Sequence, residues 1–153
     1  MSSLNEEGKP NAMTIGWAAF GVFWGRPVAV VMVRPSRYTY GCIEATGDFA
    51  INVPYAHMAE EVKFCGTKSG RDVDKFHECG FTALRADEVA SPGISQCALI
   101  YYCRVLHKND LLSTELDRDV AKTCYPTGDY HRFYHGEIQV VLADEDLALG
   151  REQ

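Results

Sequence analysis

The sequence predicts a mainly β protein, a β-barrel with short helices between its strands. Apolar runs rich in Val, Ile, Phe and Tyr recur along the chain, separated by turns that carry Gly, Pro, Asn or Asp. About six or seven of these runs read as strands, with two or three helices between them, a balance that suits a closed antiparallel barrel better than alternating βαβ units. The length of 153 residues, 46% of them hydrophobic, matches a single domain over residues 1–153, with no linker, repeat or low-complexity tract. A chain of that size buries roughly 68–70% of its unfolded surface and needs no disulfide or metal staple.

Ser2-Ser3-Leu4 reads as the tail of a strand, either a stub or the end of a longer one with upstream residues missing. Asn5 to Pro10 is a polar turn with Gly8 near its end, a hairpin signal. Asn11 to Phe20 returns as one strand. Met13, Ile15 and Trp17 then share one face, and Ala12, Thr14, Gly16 and Ala18 the other. The second face is small, so it admits either a close-packed neighbour or a planar ring lying on the backbone. After a loop at Phe23 to Pro27, Val28 to Val33 is an uncharged, β-branched run that reads as a strand buried on both faces.

Arg34 and Pro35 end that strand, and Ser36 caps a helix over Tyr38 to Thr46 that Gly47 stops. Ser36, Arg37 and Thr39 thus stand at a helix N-terminus, where free N–H groups and the helix dipole favour an anion. The alternative is an ordinary cap beside a solvated arginine. Phe49 to Val53 is a short strand closed by Pro54, and His57 to Phe64 is a helix.

Cys65 to Arg71 is a glycine-bounded basic loop. It is similar at first sight to a phosphate-binding P-loop, but its first glycine is too close to the lysine and no strand precedes it. Lys68, Ser69 and Arg71 are still equipped to meet an anion. Asp72 to Phe76 opens a short helix, Phe81 to Leu84 is a short strand, and Ser91-Pro92-Gly93 is a turn. Gln96 to Leu106 reads as the longest strand. Lys108 to Thr127 reads as a loop with a helical turn around residues 116–122, and loops of that length are often functional covers. Gly136 to Leu142 is the last strand.

A net charge of −6 argues against nucleic acid and anionic membrane surfaces as partners, so an anionic ligand must be met by a local basic cluster. Nothing resembles a signal peptide, and no apolar run approaches the ~20 residues of a membrane span. The cysteines at 42, 65, 79, 97, 103 and 124 include no C-x-x-C pair and no zinc-finger spacing, which reads as reduced structural thiols in a cytoplasm. His131 and His135 have metal-binding spacing on a helix, but on the expected strand they stand about 13 Å apart, so no metal site is expected. No Ser-His-Asp or Cys-His arrangement marks a catalytic side chain.

Five segments carry a resemblance when taken together. They are Asn11-Ala-Met-Thr-Ile-Gly-Trp17, Arg34-Pro-Ser-Arg-Tyr-Thr39, Asn52-Val-Pro54, Cys65-Gly-Thr-Lys-Ser-Gly-Arg-Asp-Val-Asp-Lys-Phe76 and Gly136-Glu-Ile138. In this order they resemble the flavin reductase-like, FMN-binding split-barrel family, most nearly its flavoredoxin branch, over nearly the whole chain. The resemblance implies a split β-barrel homodimer that holds FMN non-covalently near the dimer interface. It implies Asn11, Met13, Thr14 and Trp17 along the isoalloxazine ring, and Ser36, Arg37 and Thr39 on the phosphate and ribityl chain. It further implies Asn52 on the flavin, Lys68, Ser69 and Arg71 closing the phosphate end, and Tyr130 and His131 approaching the ring from the late loop.

The implied activity is that of an oxidoreductase passing a hydride or single electrons through the flavin, with NAD(P)H or a redox partner protein as donor. No G-x-G-x-x-G fingerprint is present, so a nicotinamide would stack on the flavin without a Rossmann domain. The short first strand departs from the family pattern and leaves barrel closure open. A flavin store or sensor without turnover, and a dimeric interaction module without flavin, are the alternatives.

Overall fold

The computed structural model describes residues 1–144. Among them nine strands form: β1 (Ser2–Leu4), β2 (Pro10–Ala12), β3 (Ala18–Phe23), β4 (Arg26–Val33), β5 (Asp48–Val53), β6 (Ala83–Ala86), β7 (Val89–Ile94), β8 (Leu99–Asp110) and β9 (Arg132–Ala143). The helices among the described residues are α1 (Tyr38–Thr46), α2 (Ala59–Thr67), α3 (Lys75–Glu78) and α4 (Arg118–Cys124). Seven strands make one antiparallel sheet in the order β2-β1-β5-β8-β9-β4-β3, and β6 and β7 form a separate hairpin. No helix among the described residues is long and apolar enough to cross a membrane.

β2 and β3 lie at opposite ends of the sheet order and do not pair with each other. The barrel is therefore split rather than closed by hydrogen bonds. The chain passes from one edge to the other through Met13 to Trp17, which belong to no strand. This corrects the single strand expected over Asn11 to Phe20. The last ladder-like contact and the turn away from it are both visible at the break. Met13 exchanges hydrogen bonds with Met1, and the Thr14 hydroxyl turns aside to the carbonyl of Val62.

Sequence alternation decides where the core sits. On β8, Tyr101, Cys103 and Val105 face a cluster built on Phe49, Tyr134, Val31, Val33 and Ile43. Ile100 and Tyr102 face a second cluster with Ala50, Met58, Phe76 and Ile94 beneath the β6–β7 hairpin. β4 is buried over most of its length, as an uncharged β-branched run should be. α1 ends as expected at Gly47, whose φ of 70° suits glycine and whose N–H donates to the Ile43 carbonyl.

Other expectations change. Arg37, not Ser36, is the N-cap residue of α1, and no side chain caps it. Ser91-Pro92-Gly93 is a buried stretch of β7 rather than a turn. Pro92 is tolerated there because the β6–β7 pairing is irregular between Leu84 and Ala86. β8 runs on to Asp110, held by pairing with β9 as far as Arg132, so the late loop begins after residue 110. The expected helix at His57 splits into a 3-10 turn at Ala56–Met58 followed by α2. The helical turn in the late loop is α4, capped by the Asp117 carboxylate on the N–H groups of Asp119 and Val120.

Gly136 is where β9 passes closest to the core. A Cβ there would lie 2.6 Å from Cζ of Phe49 and 2.8 Å from Cβ of Cys103, both fully buried. Gly136→Ala should destabilise the fold by about 1–3 kcal/mol through overpacking, read as a lower urea midpoint at unchanged slope.

Candidate functional site

Two cavities adjoin at the split. One, of about 170 Å³, is lined by Met13 to Trp17, the end of β4, Arg37, Gly66 and His131. The other, of about 180 Å³, is lined by the start of α1, the end of α2 and the loop to Lys75. Met13, Arg37 and Gly66 line both, so the two make one trough, apolar and aromatic at one end and basic at the other.

At the aromatic end Trp17 tilts over His131, with ring centroids 4.9 Å apart. The late loop delivers the histidine. Arg34 holds that loop by donating to the carbonyls of Cys124 at 2.8 Å and Asp129 at 3.1 Å, and its guanidinium lies 4.8 Å over the Tyr125 ring. The Tyr125 hydroxyl meets His131 Nδ1 at 2.7 Å. With the hydroxyl donating, the imidazole proton stands on Nε2. Burial, and then the positive charge of Arg34, push the His131 pKa down to about 4, so the ring is neutral near pH 7. Tyr130 does not line the cavity; it stacks on Tyr125 at 4.8 Å and supports the dyad from outside.

At the basic end, Arg37 and Lys68 are exposed and have no side-chain hydrogen bond or ion pair among the described residues. Arg71 donates to the Ser36 carbonyl at 3.1 Å and lies over the Tyr38 ring. The Ser69 hydroxyl accepts from the Arg71 N–H at 3.2 Å and shapes the loop. Asn11 is buried and donates to the Thr39 hydroxyl at 2.9 Å, so it stands behind Thr39, which lines the cavity. The loop comes close enough that a Cβ on Gly70 would collide with the Asn11 side chain and lie 2.6 Å from Cδ1 of Tyr38. A Cβ on Gly66 would press on Thr14 at 3.3 Å.

Ser36 is placed differently from the expectation. Its N–H and hydroxyl both donate to the Asp129 carboxylate, at 3.2 and 2.5 Å, so an acidic side chain already occupies those donors. Asn52 lies outside the trough. It donates to the Ser2 hydroxyl, accepts from the Ile94 N–H at 2.8 Å, and faces a separate apolar cavity behind Met13 to Ile15. His131 and His135 do not converge: His135 packs with His107 and Trp24. Among the described residues no three His, Cys, Asp or Glu side chains gather as a metal-binding set.

Sequence reasoning missed Lys75, Arg34 and Tyr125. Lys75 is 4% exposed and lines the basic cavity. Its ammonium donates to the carbonyls of Ala12 and Cys65, both at 2.8 Å, and no carboxylate pairs with it among the described residues. The one sequence signal was its place in the basic segment, next to Phe76. Arg34 carried a signal in the Arg-Pro pair that ends a buried strand. Tyr125 carried none.

The residues present fit a planar ring with a phosphate tail. Gly16, Gly66 and Thr14 leave room along the aromatic cavity, a neutral imidazole stands at that end, and the unpaired cations Arg37 and Lys68 stand towards the other.

The family model of the flavin reductase like domain matches residues 1–150. An uncharacterized protein of Archaeoglobus fulgidus is 31% identical over 98 residues, which cover 64% of this chain and 55% of that protein. The chain spans about half the length of the curated relatives it matches. A flavoredoxin from Methanosarcina acetivorans superposes with a TM-score of 0.79 at 27% identity, over 99% of this chain and 70% of that one. An FMN-binding protein from Thermus thermophilus, solved with bound 1-cyclohex-2-enone, gives a TM-score of 0.75 at 20% identity, over 95% and 69%.

The neutral His131 makes a pH prediction. Its pKa is lower in the native protein, about 4, than the ordinary 6.5. Above pH 6.5 neither state binds this proton. As pH falls from 6.5 towards 4 the unfolded chain takes the proton first, so stability is lost over that window. A histidine titration by NMR should show the inflection near pH 4, and His131→Phe should flatten the slope of stability against pH between 4 and 6.5.

Proposed function

The chain belongs to the flavin reductase-like family, and from that membership we propose that it holds FMN in the trough and works as a flavin-dependent oxidoreductase. The observation that carries this reading is Arg37, an unpaired cation at the junction of an aromatic and a basic cavity. A flavin mononucleotide has that same polarity: a planar ring, a short polyol and one phosphate.

In this reading Arg37, Lys68 and Arg71 hold the phosphate, and Ser69 shapes their loop. Thr39, backed by Asn11, meets the ribityl chain. Met13, Thr14 and Trp17 flank the ring, and Gly66 lets it approach the backbone. Bound FMN supplies hydride and single-electron transfer at N5, which no side chain of the trough provides. The protein positions the ring and sets its electrostatics. His131 offers a neutral imidazole towards the ring, held in place through its Nδ1 by the Tyr125 hydroxyl. The exposed indole of Trp17 leaves room at the mouth for NAD(P)H or for a partner protein as electron donor.

A second copy of the chain covers that mouth in our reading. Every residue of β3 is exposed, and among the described residues the strand pairs with β4 alone. Phe20, Val22 at 76% and Trp24 at 62% exposure form an apolar edge that continues to Trp17. Such an edge invites pairing unless a partner covers it. All six cysteines are free thiols, which suits a reducing cytoplasm.

The test is the visible spectrum of the purified protein, then anaerobic addition of NADH, NADPH or a reduced partner protein. A yellow protein bleached by pyridine nucleotide is a reductase; one bleached only by the partner protein is an electron carrier. A colourless protein that takes up no added FMN defeats the proposal. Arg37→Ala should raise the Kd for FMN about 10- to 100-fold, the range for a hydrogen bond to a charged group, in a fluorescence titration. Val22→Lys should shift the sedimentation coefficient from dimer to monomer, and an unchanged coefficient would remove β3 from the interface.

A further inference from the structure

We propose that His107 and His135 form a binding site for a divalent transition-metal ion, with zinc the fitting case. The inference is independent of the flavin reading. The pair lies on the face of β9 opposite the core residue Tyr134, away from the trough.

The two histidines are direct partners across the β8–β9 ladder. The register shifts between Val105 and His107, so Leu106 is the extra residue of a bulge. Val105 stands opposite Gly136, and a regular ladder would therefore set Leu106 opposite His135. The bulge sets a second imidazole there instead. The ring centroids are 5.4 Å apart and the planes meet at 52°. An ion bonded to one nitrogen of each ring at about 2.0–2.1 Å, with a tetrahedral angle between them, needs centroids about 5 Å apart. Small rotations of the two rings would complete that chelate.

Nδ1 of His135 is buried and has no hydrogen-bond partner. A buried polar atom left in that state is costly, and a metal bond is one way to satisfy it. The groups acting on the His135 ring are the His107 imidazole and the His107 main chain, not a carboxylate. Burial and the neighbouring imidazole push its pKa down, so the ring is neutral near pH 7, as a ligand must be. Glu137, on the same face, is spent on Arg26 and Arg104. Imidazoles without a competing carboxylate favour Zn²⁺, Cu²⁺ or Ni²⁺ over Mg²⁺ or Ca²⁺.

The β3–β4 hairpin roofs the pair. Trp24 lies 6.1 Å from the His107 ring and 6.0 Å from the His135 ring, and Phe23 meets His135 edge-on at 5.7 Å. Trp24 holds this place at a φ of 53°, which a bulky side chain seldom adopts. His107 is exposed, so the other side of the pair stays open to water. An ion there would take two imidazoles from the chain and water at its remaining positions.

The experiment titrates ZnCl2 into the full chain, freed of metal by a chelator, and follows heat and the 15N-histidine NMR spectrum. One ion per chain should bind, moving the ring nitrogens of His107 and His135 and leaving those of His57, His77 and His131 in place. His107→Gln should weaken zinc at least about 10-fold. The substitution is exposed, so the Tm of the metal-free chain should hold. Zinc should raise the Tm of the native chain and not that of His107→Gln. His135→Gln should behave likewise; should it not fold, His107→Gln decides. No saturable binding, equal binding of MgCl2, or native zinc affinity in His107→Gln overturns the proposal, the last by placing the ion elsewhere. A chain that binds zinc through these rings but takes up no FMN leaves this site standing and defeats the flavin reading alone.

Discussion

The structure depends on two sheet edges that never meet. β2 ends one side of the seven-stranded sheet and β3 ends the other, and the chain must cross between them through Met13 to Trp17. A segment that crosses cannot stay in a ladder, so part of its backbone is left without strand partners. The crossing also forces the neighbouring elements to supply walls. The end of α2 brings Gly66 against Thr14, the end of β4 brings Arg34, and the late loop brings His131. The trough is thus a consequence of the split, and its small-residue wall follows from how closely α2 packs on the crossing segment.

Charge is distributed to the same end. The protein is acidic overall, and many of its surface cations have acidic partners. Arg26 and Arg104 share Glu137, Arg132 is held by Asp110 and Glu44, and Lys108 also pairs with Glu44. Exposed pairs of this kind add little stability, but they neutralise the surface. Around the basic cavity the pattern changes: Arg37, Lys68 and Lys75 have no carboxylate partner among the described residues. An acidic protein that leaves cations unpaired at one place keeps a local positive potential there, which an anion would feel from the mouth of the trough.

Most of the fold was legible because its signals are local. The uncharged run Val28 to Val33, the helix stopped by Gly47 and the alternation on β8 each follow from side chains a few residues apart. The site was legible in part, since Met13, Thr14, Trp17, Arg37 and Lys68 do line one trough. What escaped depends on distant contacts. The break after Ala12 is set by the sheet order, which no window of ten residues contains. Pro92 looked like a turn because proline usually is one, and the irregular pairing opposite it overrode that preference. Lys75 looked like a solvated charge because lysine normally is; its burial comes from α2 and β2, 10 and 63 residues away in sequence.

Ser36 shows how one wrong local reading can point to a sound structural role. Its position before a helix suggested a cap and a phosphate donor. In the structure its N–H and hydroxyl are taken by Asp129 of the late loop, and its carbonyl is taken by Arg71 of the basic loop. Asp129 is held at a φ of 58°, an unusual conformation for a residue other than glycine, and its own carbonyl is gripped by Arg34. Ser36 is therefore the tie between the loop that presents His131 and the loop that presents Lys68 and Arg71. Because one residue bonds to both, neither wall can shift without straining a hydrogen bond to the other. The spacing of the two walls is thus set by a short serine together with the Arg71 guanidinium that grips its carbonyl.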